Sequence, residues 1–267
     1  MHPLDTALAL EPLGAGRWRG RTSPAWQNMV GPFGGITAAQ ALVSVLRDER
    51  RLGEPVALTV NFCAALADGA FEVEAQPART NRSTQHWTVA LRQGGQTLLT
   101  GTAITALRRP TWSADEVVAA PAPPPQEVAP LAATGAVEWL NRYSIRFVAG
   151  GFPAAWDGQD GGDSRSLLWV QDAPPRPLDY AALTAMADVF YPRIWRRRAW
   201  RVPIGTVTLS VYYHADAERL AQAHDAPLLG QASAQSFYNG YFDQSAQLWS
   251  EAGVLLATTH QLVYYKE

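Results

Sequence analysis

The 267-residue chain has a single cysteine, Cys63, and few charged side chains. One cysteine excludes an intramolecular disulfide and any cysteine-rich metal site, and it fits a reducing compartment. Charged residues make up 17 % of the chain and the formal net charge is −2, which argues against a nucleic-acid partner recognised by bulk positive charge. Because Cys63 lies in the apolar run FCAAL, we interpret it as a small residue of the core.

The chain also lacks long apolar runs and the usual cofactor motifs. No stretch approaches the roughly 20 apolar residues of a membrane-spanning helix. The N-terminus, MHPLDTALALEPLGAG, has no basic start followed by an apolar core, so no secretory signal is predicted. The five histidines show no metal-ligand spacing, and neither a G-x-S-x-G elbow nor a phosphate-binding loop occurs. We therefore expect a soluble, cytoplasmic protein without a membrane partner, a metal or a cofactor.

One structural pattern occurs twice along the chain. The segment PAPPPQEVAP (121–130) holds five prolines in ten residues, which favours extended backbone and indicates a linker. Each side of it reads as a strand, one long helix and then several antiparallel strands. The predicted units are an N-terminal repeat at 1–110, a linker at 111–135 and a C-terminal repeat at 136–267.

This pattern predicts an α+β fold of the tandem (double) hotdog type. A helix of about fifteen residues, as in LDYAALTAMADVFYPRIW, cannot bury its apolar face alone. A bent antiparallel sheet wrapped around the helix buries that face, and two such sheets joined edge to edge remove each other's exposed edges.

Three short motifs carry a family resemblance. They are GPFGGITAAQAL at 31–42, the MAD tripeptide that ends at Asp188, and the strand pair IGTVTLSVYYH (204–214) and LLATTHQLVYY (255–265). Together and in this order they resemble the double-hotdog acyl-CoA thioesterases of the thioesterase II type. The resemblance implies an acyl-CoA substrate and a catalytic set of Asp188, Thr206 and Gln261.

A comparison of the two repeats supports this set. Aligning the repeats places apolar residues at the positions equivalent to the three polar ones, in the order Leu42, Ala57 and Ile104. A carboxylate, a hydroxyl and an amide are each costly to bury alone. Their joint occurrence in one repeat therefore predicts a hydrogen-bonded network.

The predicted chemistry is hydrolysis by an activated water. Asp188 would accept the proton of the water, while Gln261 and Thr206 would fix the water and the carboxylate. The start of the first helix would face this acid and supply backbone N–H groups to the developing oxyanion. The candidate donors there are Gly34, Gly35 and Ile36.

Alternatives remain open at two levels. Asp188 could instead pair locally with Arg193. The basic segment RIWRRRAWR (193–201) could hold the phosphates of coenzyme A or form a solvated loop; its candidate ligands are Arg193, Arg196, Arg197 and Arg198. Two other functions compete with hydrolysis. One is a hotdog hydratase or dehydratase acting on enoyl or hydroxyacyl thioesters, and the other is a non-catalytic acyl-thioester-binding protein.

We also expect a homodimer or a higher homo-oligomer.

Overall fold

The computed structural model describes residues 1–132, 135 and 137–267, which form thirteen strands in one sheet and five α-helices. The first half contains α1 (Pro3–Ala7), β1 (Glu11–Gly14), β2 (Arg17–Arg21), α2 (Gly34–Leu46), β3 (Glu54–Phe62), β4 (Ala70–Thr80), β5 (Thr84–Gln93) and β6 (Gln96–Ala106). The second half contains β7 (Tyr143–Ala149), β8 (Ser166–Asp172), α3 (Tyr180–Met186), α4 (Arg193–Arg198), β9 (Ile204–Tyr213), α5 (Ala217–Ala223), β10 (Leu228–Ser233), β11 (Phe237–Tyr238), β12 (Tyr241–Trp249) and β13 (Leu255–Tyr265).

The two halves share a continuous antiparallel sheet. Its strand order is β1-β2-β4-β5-β6-β3-β9-β13-β12-β10-β8-β7, with β11 paired to β12. The repeats meet where β3 pairs with β9, and the hydroxyls of Thr59 and Ser210 lie 2.9 Å apart across this junction. The tandem hotdog architecture with edge-to-edge sheets is confirmed.

The central helix of the first repeat is long and enclosed. In α2, eleven residues from Gly35 to Val45 are buried, so the helix is surrounded rather than resting on one side of the sheet. Gly35 lies where α2 meets α3. A Cβ atom at Gly35 would come within 2.4 Å of the carbonyl oxygen of Ala185, so only glycine permits this approach.

The central helix of the second repeat is shorter than predicted. The Asp179 side chain caps the N-terminus of α3 by accepting a hydrogen bond from Ala182 N, and the helix ends at Met186 after seven residues. The prediction of one helix of about fifteen residues is therefore wrong. The chain turns after Met186, and Pro192, which disfavours helical geometry in the residue before it, directly precedes the start of α4 at Arg193.

The proline-rich segment packs against the second half of the sheet. Ala119, Ala122 and Val128 contact a cluster formed by Trp169, Leu229, Trp249 and Leu255. The Trp169 indole also donates to the Pro123 carbonyl oxygen at 3.0 Å. This contact covers the sheet face opposite the helices. Residues 133 and 134 of the expected linker and residue 136 at the expected start of the second repeat lie outside the described residues, so the boundaries stay predictions.

Cys63 is exposed, so its interpretation as a core residue is wrong. The residue directly follows the last residue of β3, where the chain leaves the sheet, and the apolar run FCAAL does not continue the strand. Among the described helices, none combines the length and apolar character required to cross a membrane.

Candidate active site

Asp188, from the turn after α3, meets groups from both repeats. The Gln261 side chain on β13 donates from Nε2 to Asp188 Oδ1 at 2.8 Å. The backbone N–H of Gly35, in the first turn of α2, lies near the same carboxyl group and stabilises its charged form. A Cβ atom at Gly34 would lie 2.8 Å from Asp188 Oδ2, so the missing side chain leaves room for the acid. The site thus combines an acid and an amide from the second repeat with a helix start from the first.

Burial raises the pKa of Asp188 to about 7. The hydrogen bond from Gln261 and the nearby Gly35 N–H oppose this shift, because they stabilise the charged form. A carboxylate with a pKa near neutrality is a stronger base than an ordinary aspartate and is still substantially ionised at pH 7. The environment therefore suits Asp188 to accept a proton.

Backbone hydrogen bonds of the sheet show which positions of the two repeats are structurally equivalent. Cys63 N donates to the carbonyl oxygen of Leu98, and His214 N donates to that of Leu256, at the matching place in each repeat. Counting along the strands from these matched pairs, the equivalent of Gln261 is Ala103, which is buried.

Two of the three predicted counterparts are therefore wrong. Ile104 is displaced by one residue from Ala103, and the equivalent of Thr206 is Pro55 instead of Ala57. Both strand pairs have a bulge at the matching place, which agrees with this equivalence and which an alignment by residue type does not reveal. Leu42 remains the counterpart of Asp188, since each lies eight residues after the first residue of its helix.

Thr206 is less closely connected to the site than predicted. Leu209 is the β9 residue across from Gln261, and Thr206 lies across from Val263. Within the described part of the chain, the Thr206 side chain hydrogen-bonds neither Asp188 nor Gln261. The participation of Thr206 stays a prediction.

Arg193 neither pairs with Asp188 nor presents its charge to solvent, which corrects both expectations for this residue. The side chain is fully buried. Its guanidinium donates to the Gln244 side chain, the Ser166 hydroxyl and the carbonyl oxygens of Ser164 and Tyr191. A buried guanidinium already engaged in this way cannot bind the phosphates of coenzyme A.

The other three arginines of this segment lie beside acids. Arg196 is 3.9 Å from Asp163 and Arg197 pairs with Asp160, both in the glycine-rich loop between β7 and β8. Arg198 lies 2.8 Å from the side chain of Glu267. A role for Arg196, Arg197 and Arg198 in binding coenzyme A stays a prediction.

Sequence reasoning missed a second buried acid. Asp172 is 2 % exposed, and among the described residues neither of its carboxylate oxygens has a hydrogen-bond partner. Burial raises the pKa of Asp172 to about 7. Asp172 lies across from Tyr143, whose ring packs with those of Phe33 and Trp139. Asp172 ends an ordinary strand pattern, so no signal in the sequence marks it.

The fold and the site place this chain among the double-hotdog proteins. Comparisons with known proteins identify its family. A family model described as the acyl-CoA thioesterase N-terminal domain matches residues 22–106, and one described as the acyl-CoA thioesterase C-terminal domain matches residues 114–265. The chain belongs to this acyl-CoA thioesterase family. None of the curated proteins compared with this chain matches it.

Solved structures agree with this assignment at the level of the fold. A hotdog protein of unknown function from Alicyclobacillus acidocaldarius is 44 % identical, with a TM-score of 0.94 over 100 % of this chain and 99 % of that one. A candidate thioesterase II from Thermobifida fusca YX is 21 % identical, with a TM-score of 0.86 over 100 % and 98 %. The acyl-CoA thioesterase II TesB2 from Mycobacterium marinum is 19 % identical, with a TM-score of 0.76 over 98 % of each chain.

Proposed function

We propose that this protein hydrolyses acyl-CoA thioesters by using Asp188 to activate a water molecule. The observation that carries the proposal is the largely enclosed carboxyl group of Asp188, which accepts a hydrogen bond from Gln261 and is met by the N-terminus of α2. Family membership supports the general reaction. What we add to the general reaction is a role for each individual residue.

The reaction needs no covalent nucleophile, because a thioester carbonyl is electrophilic enough for direct attack by water. Asp188 takes a proton from the water as the oxygen bonds to the carbonyl carbon, giving a tetrahedral oxyanion. Collapse of this intermediate breaks the carbon–sulfur bond, and the leaving thiolate takes the proton back from Asp188. The products are a free acid and CoA, and the carboxylate is regenerated.

The role of Gln261 is to orient the base. Its N–H donation fixes Asp188 Oδ1, and the proposal assigns the other oxygen, Oδ2, to the water. In the predicted set, Thr206 would contribute to the same water. Positioning of this kind can account for a large part of a rate enhancement.

The first turn of α2 supplies the donors for the oxyanion. Gly34, Gly35 and Ile36 are the proposed donors, and the Gly35 N–H is also near enough to Asp188 to lower the pKa of its carboxyl group. The first N–H groups of a helix have no partner within the helix and carry its positive dipole end, which suits a developing negative charge.

A panel of acyl-CoA substrates tests the proposal. We expect release of free thiol, without formation of enoyl absorbance, for at least one acyl group. Enoyl formation would favour a hydratase or dehydratase, and binding without either signal would favour a binding protein. The position of His260 argues against the hydratase. His260 is exposed and contacts Ser245 at 2.8 Å, on the strand face opposite Gln261.

We also propose that the chain forms a homodimer or a higher homo-oligomer. The outer strands of the sheet are β1 and β7, and exposed strand edges favour association. Light scattering coupled to size-exclusion chromatography tests this, and a monomeric mass at micromolar concentration would contradict it.

A further inference from the structure

One side of the candidate active site is accessible to solvent. Gly34, Phe62 and Asp188 are each partly exposed, although Ala187 and Val189 on either side of the acid are buried. Outside α2 and its flanking residues, the nearest heavy atoms to a Cβ at Gly34 would be Asp188 Oδ2 at 2.8 Å and Phe62 Cζ at 3.5 Å. The edge of the Phe62 ring and the carboxylate oxygen therefore face the same space at the start of α2.

Phe62 lies where the two repeats meet. It is the last residue of β3, the strand of the first repeat that pairs with β9 of the second. Its ring packs against the core on the strand face of the buried Leu58 and Val60, whereas Asn61 between them faces solvent. The ring is therefore fixed by the sheet and lies beside an acid that comes from the other repeat.

The second repeat has an equivalent place, and its own side chains fill it. Tyr180 begins α3 as Gly34 begins α2, and Tyr213 ends β9 as Phe62 ends β3. The rings of Tyr180 and Tyr213 pack edge to face with their centroids 5.6 Å apart, and both side chains are buried. Where the second repeat has a phenol ring between the helix start and the strand end, the first repeat has a glycine.

The two places also differ in polarity. In the second repeat, the hydroxyls of Tyr213 and Thr184 lie 2.6 Å apart and form a buried hydrogen bond. The equivalent residues of the first repeat are Phe62 and Ala38, neither of which has a hydroxyl. An apolar group can lie beside them without burying an unpaired polar atom.

We propose that the space between Gly34 and Phe62 is an acyl subsite, which takes the part of the acyl group next to the thioester carbonyl, and that the Phe62 ring limits the size of this part. The carbonyl then lies beside Asp188 Oδ2, assigned above to the water, and beside the first N–H groups of α2. Phe62 is thereby a specificity-determining residue, and position 34 forms the opposite wall. This inference deepens the proposed function and rests on it.

The kinetic test compares butanoyl-CoA with 2-methylbutanoyl-CoA, which differ by one methyl group at the carbon next to the carbonyl. The measured quantity is the ratio of kcat/KM for the branched substrate to kcat/KM for the unbranched one. We expect Phe62→Ala to raise this ratio at least fivefold, because one such group in an apolar pocket is worth roughly 10–200-fold. A purely structural role would lower both values equally, so an unchanged ratio would overturn the inference.

Gly34→Ala narrows the same subsite from the opposite side. We expect the ratio to fall at least fivefold in this variant, in addition to any loss of kcat shared by both substrates. In the double variant with Phe62→Ala, the ratio should lie between those of the two single variants. A ratio that rises or stays constant in Gly34→Ala would contradict the shared subsite.

Two further variants control for folding. Phe62→Leu removes the ring edge but keeps an apolar side chain against the core, and the ratio should rise at least threefold even if Phe62→Ala proves unstable. Tyr212→Ala removes an exposed ring from the outer face of β9 and should leave the ratio within twofold of the wild type. No change in Phe62→Leu, or an equal change in Tyr212→Ala, would refute the assignment of Phe62.

A second readout does not depend on hydrolysis. S-Butyl-CoA and S-(2-methylbutyl)-CoA are thioethers that carry the same two groups without the carbonyl, and calorimetry gives the Kd of each. We expect Phe62→Ala to shift the relative affinity at least threefold towards the branched thioether. Unchanged relative affinities, or no binding of either thioether to the wild type, would overturn the inference. If the expected shift is found but the wild type hydrolyses no acyl-CoA, the proposed function fails while the role of Phe62 stands.

Discussion

The two repeats share a scaffold but differ in what fills it. Where the second repeat has Asp188 and Gln261, the first has Leu42 and Ala103, both buried and apolar. In contrast, the first repeat contributes the glycine pair at the start of α2, where the second repeat starts its helix with Tyr180 and Ala181. Each repeat therefore supplies one half of a single site.

The central helices of the two repeats differ in length, and this difference places Asp188 beside the first repeat. The first-repeat helix α2 runs for 13 residues, whereas α3 stops after 7. The early end of α3 places Asp188 in a turn beyond the helix, where its carboxyl group meets the N-terminus of α2. In a continuous helix, residue 188 would be part of the helix, as Leu42 is part of α2 in the first repeat.

Removing the acid gives the largest expected effect. In Asp188→Asn, we expect kcat for acyl-CoA hydrolysis to fall by about 100-fold or more, because a general base contributes roughly 10²–10⁴. Thiol release measures this. Unfolding in urea should show that the variant remains folded and is at least as stable as the wild type above pH 7, since asparagine has no charge to bury.

A matched control is the same substitution at another buried acid, Asp172. Asp172→Asn should keep kcat within about threefold, because Asp172 contacts neither Gln261 nor Gly35 among the described residues. Equal losses in the two variants would contradict a special role for Asp188.

Gln261→Ala gives the second repeat the residue that the first repeat has at the equivalent position, Ala103. We expect kcat to fall by at least tenfold at pH 7. Because the Gln261 N–H stabilises the carboxylate, its removal raises the pKa of Asp188 above about 7 and moves the acid limb of the kcat–pH profile to higher pH. A profile that keeps its midpoint would contradict the proposed contact.

Gly34→Ala tests the contribution of the first repeat. The new Cβ would lie 2.8 Å from Asp188 Oδ2, so the carboxyl group must move. We expect a loss in kcat of about tenfold, with little loss in stability since alanine is the better helix former. Steady-state kinetics and thermal unfolding measure both effects, and unchanged kcat would show that the close approach is not needed.

Asp172→Asn also has an expected effect on stability. Burial raises the pKa of Asp172 to about 7, so the folded state binds its proton more tightly than the unfolded state does. The residue therefore lowers stability as the pH rises from about 4 to about 7, and the full cost is present above pH 7. We expect Asp172→Asn to raise the free energy of unfolding by about 1–3 kcal/mol at pH 8 and to leave it unchanged near pH 4. Equal gains at both pH values would contradict the charge as the cause.

The smallest expected effect is that of Thr206→Val. Since Thr206 lies across from Val263 and not across from Gln261, we expect kcat to change less than threefold. A tenfold loss, measured by thiol release, would instead place the Thr206 hydroxyl in the catalytic set.

The sequence by itself determined the duplicated architecture, the acid at 188 and the amide at 261. Repeated hydrophobic patterns specify helices and strands locally, and a carboxylate in an apolar segment requires a partner. Short motifs placed Asp188 and Gln261 in the same site although they are 73 residues apart.

Only the tertiary structure decided where the side chains point and how deeply they lie. Arg193 belongs to a basic segment but is fully buried, and Cys63 belongs to an apolar run but is exposed. The bulges beside Pro55 and Thr206 fix the equivalence of the strands. Each of these depends on contacts between distant parts of the chain, which local residue type does not encode.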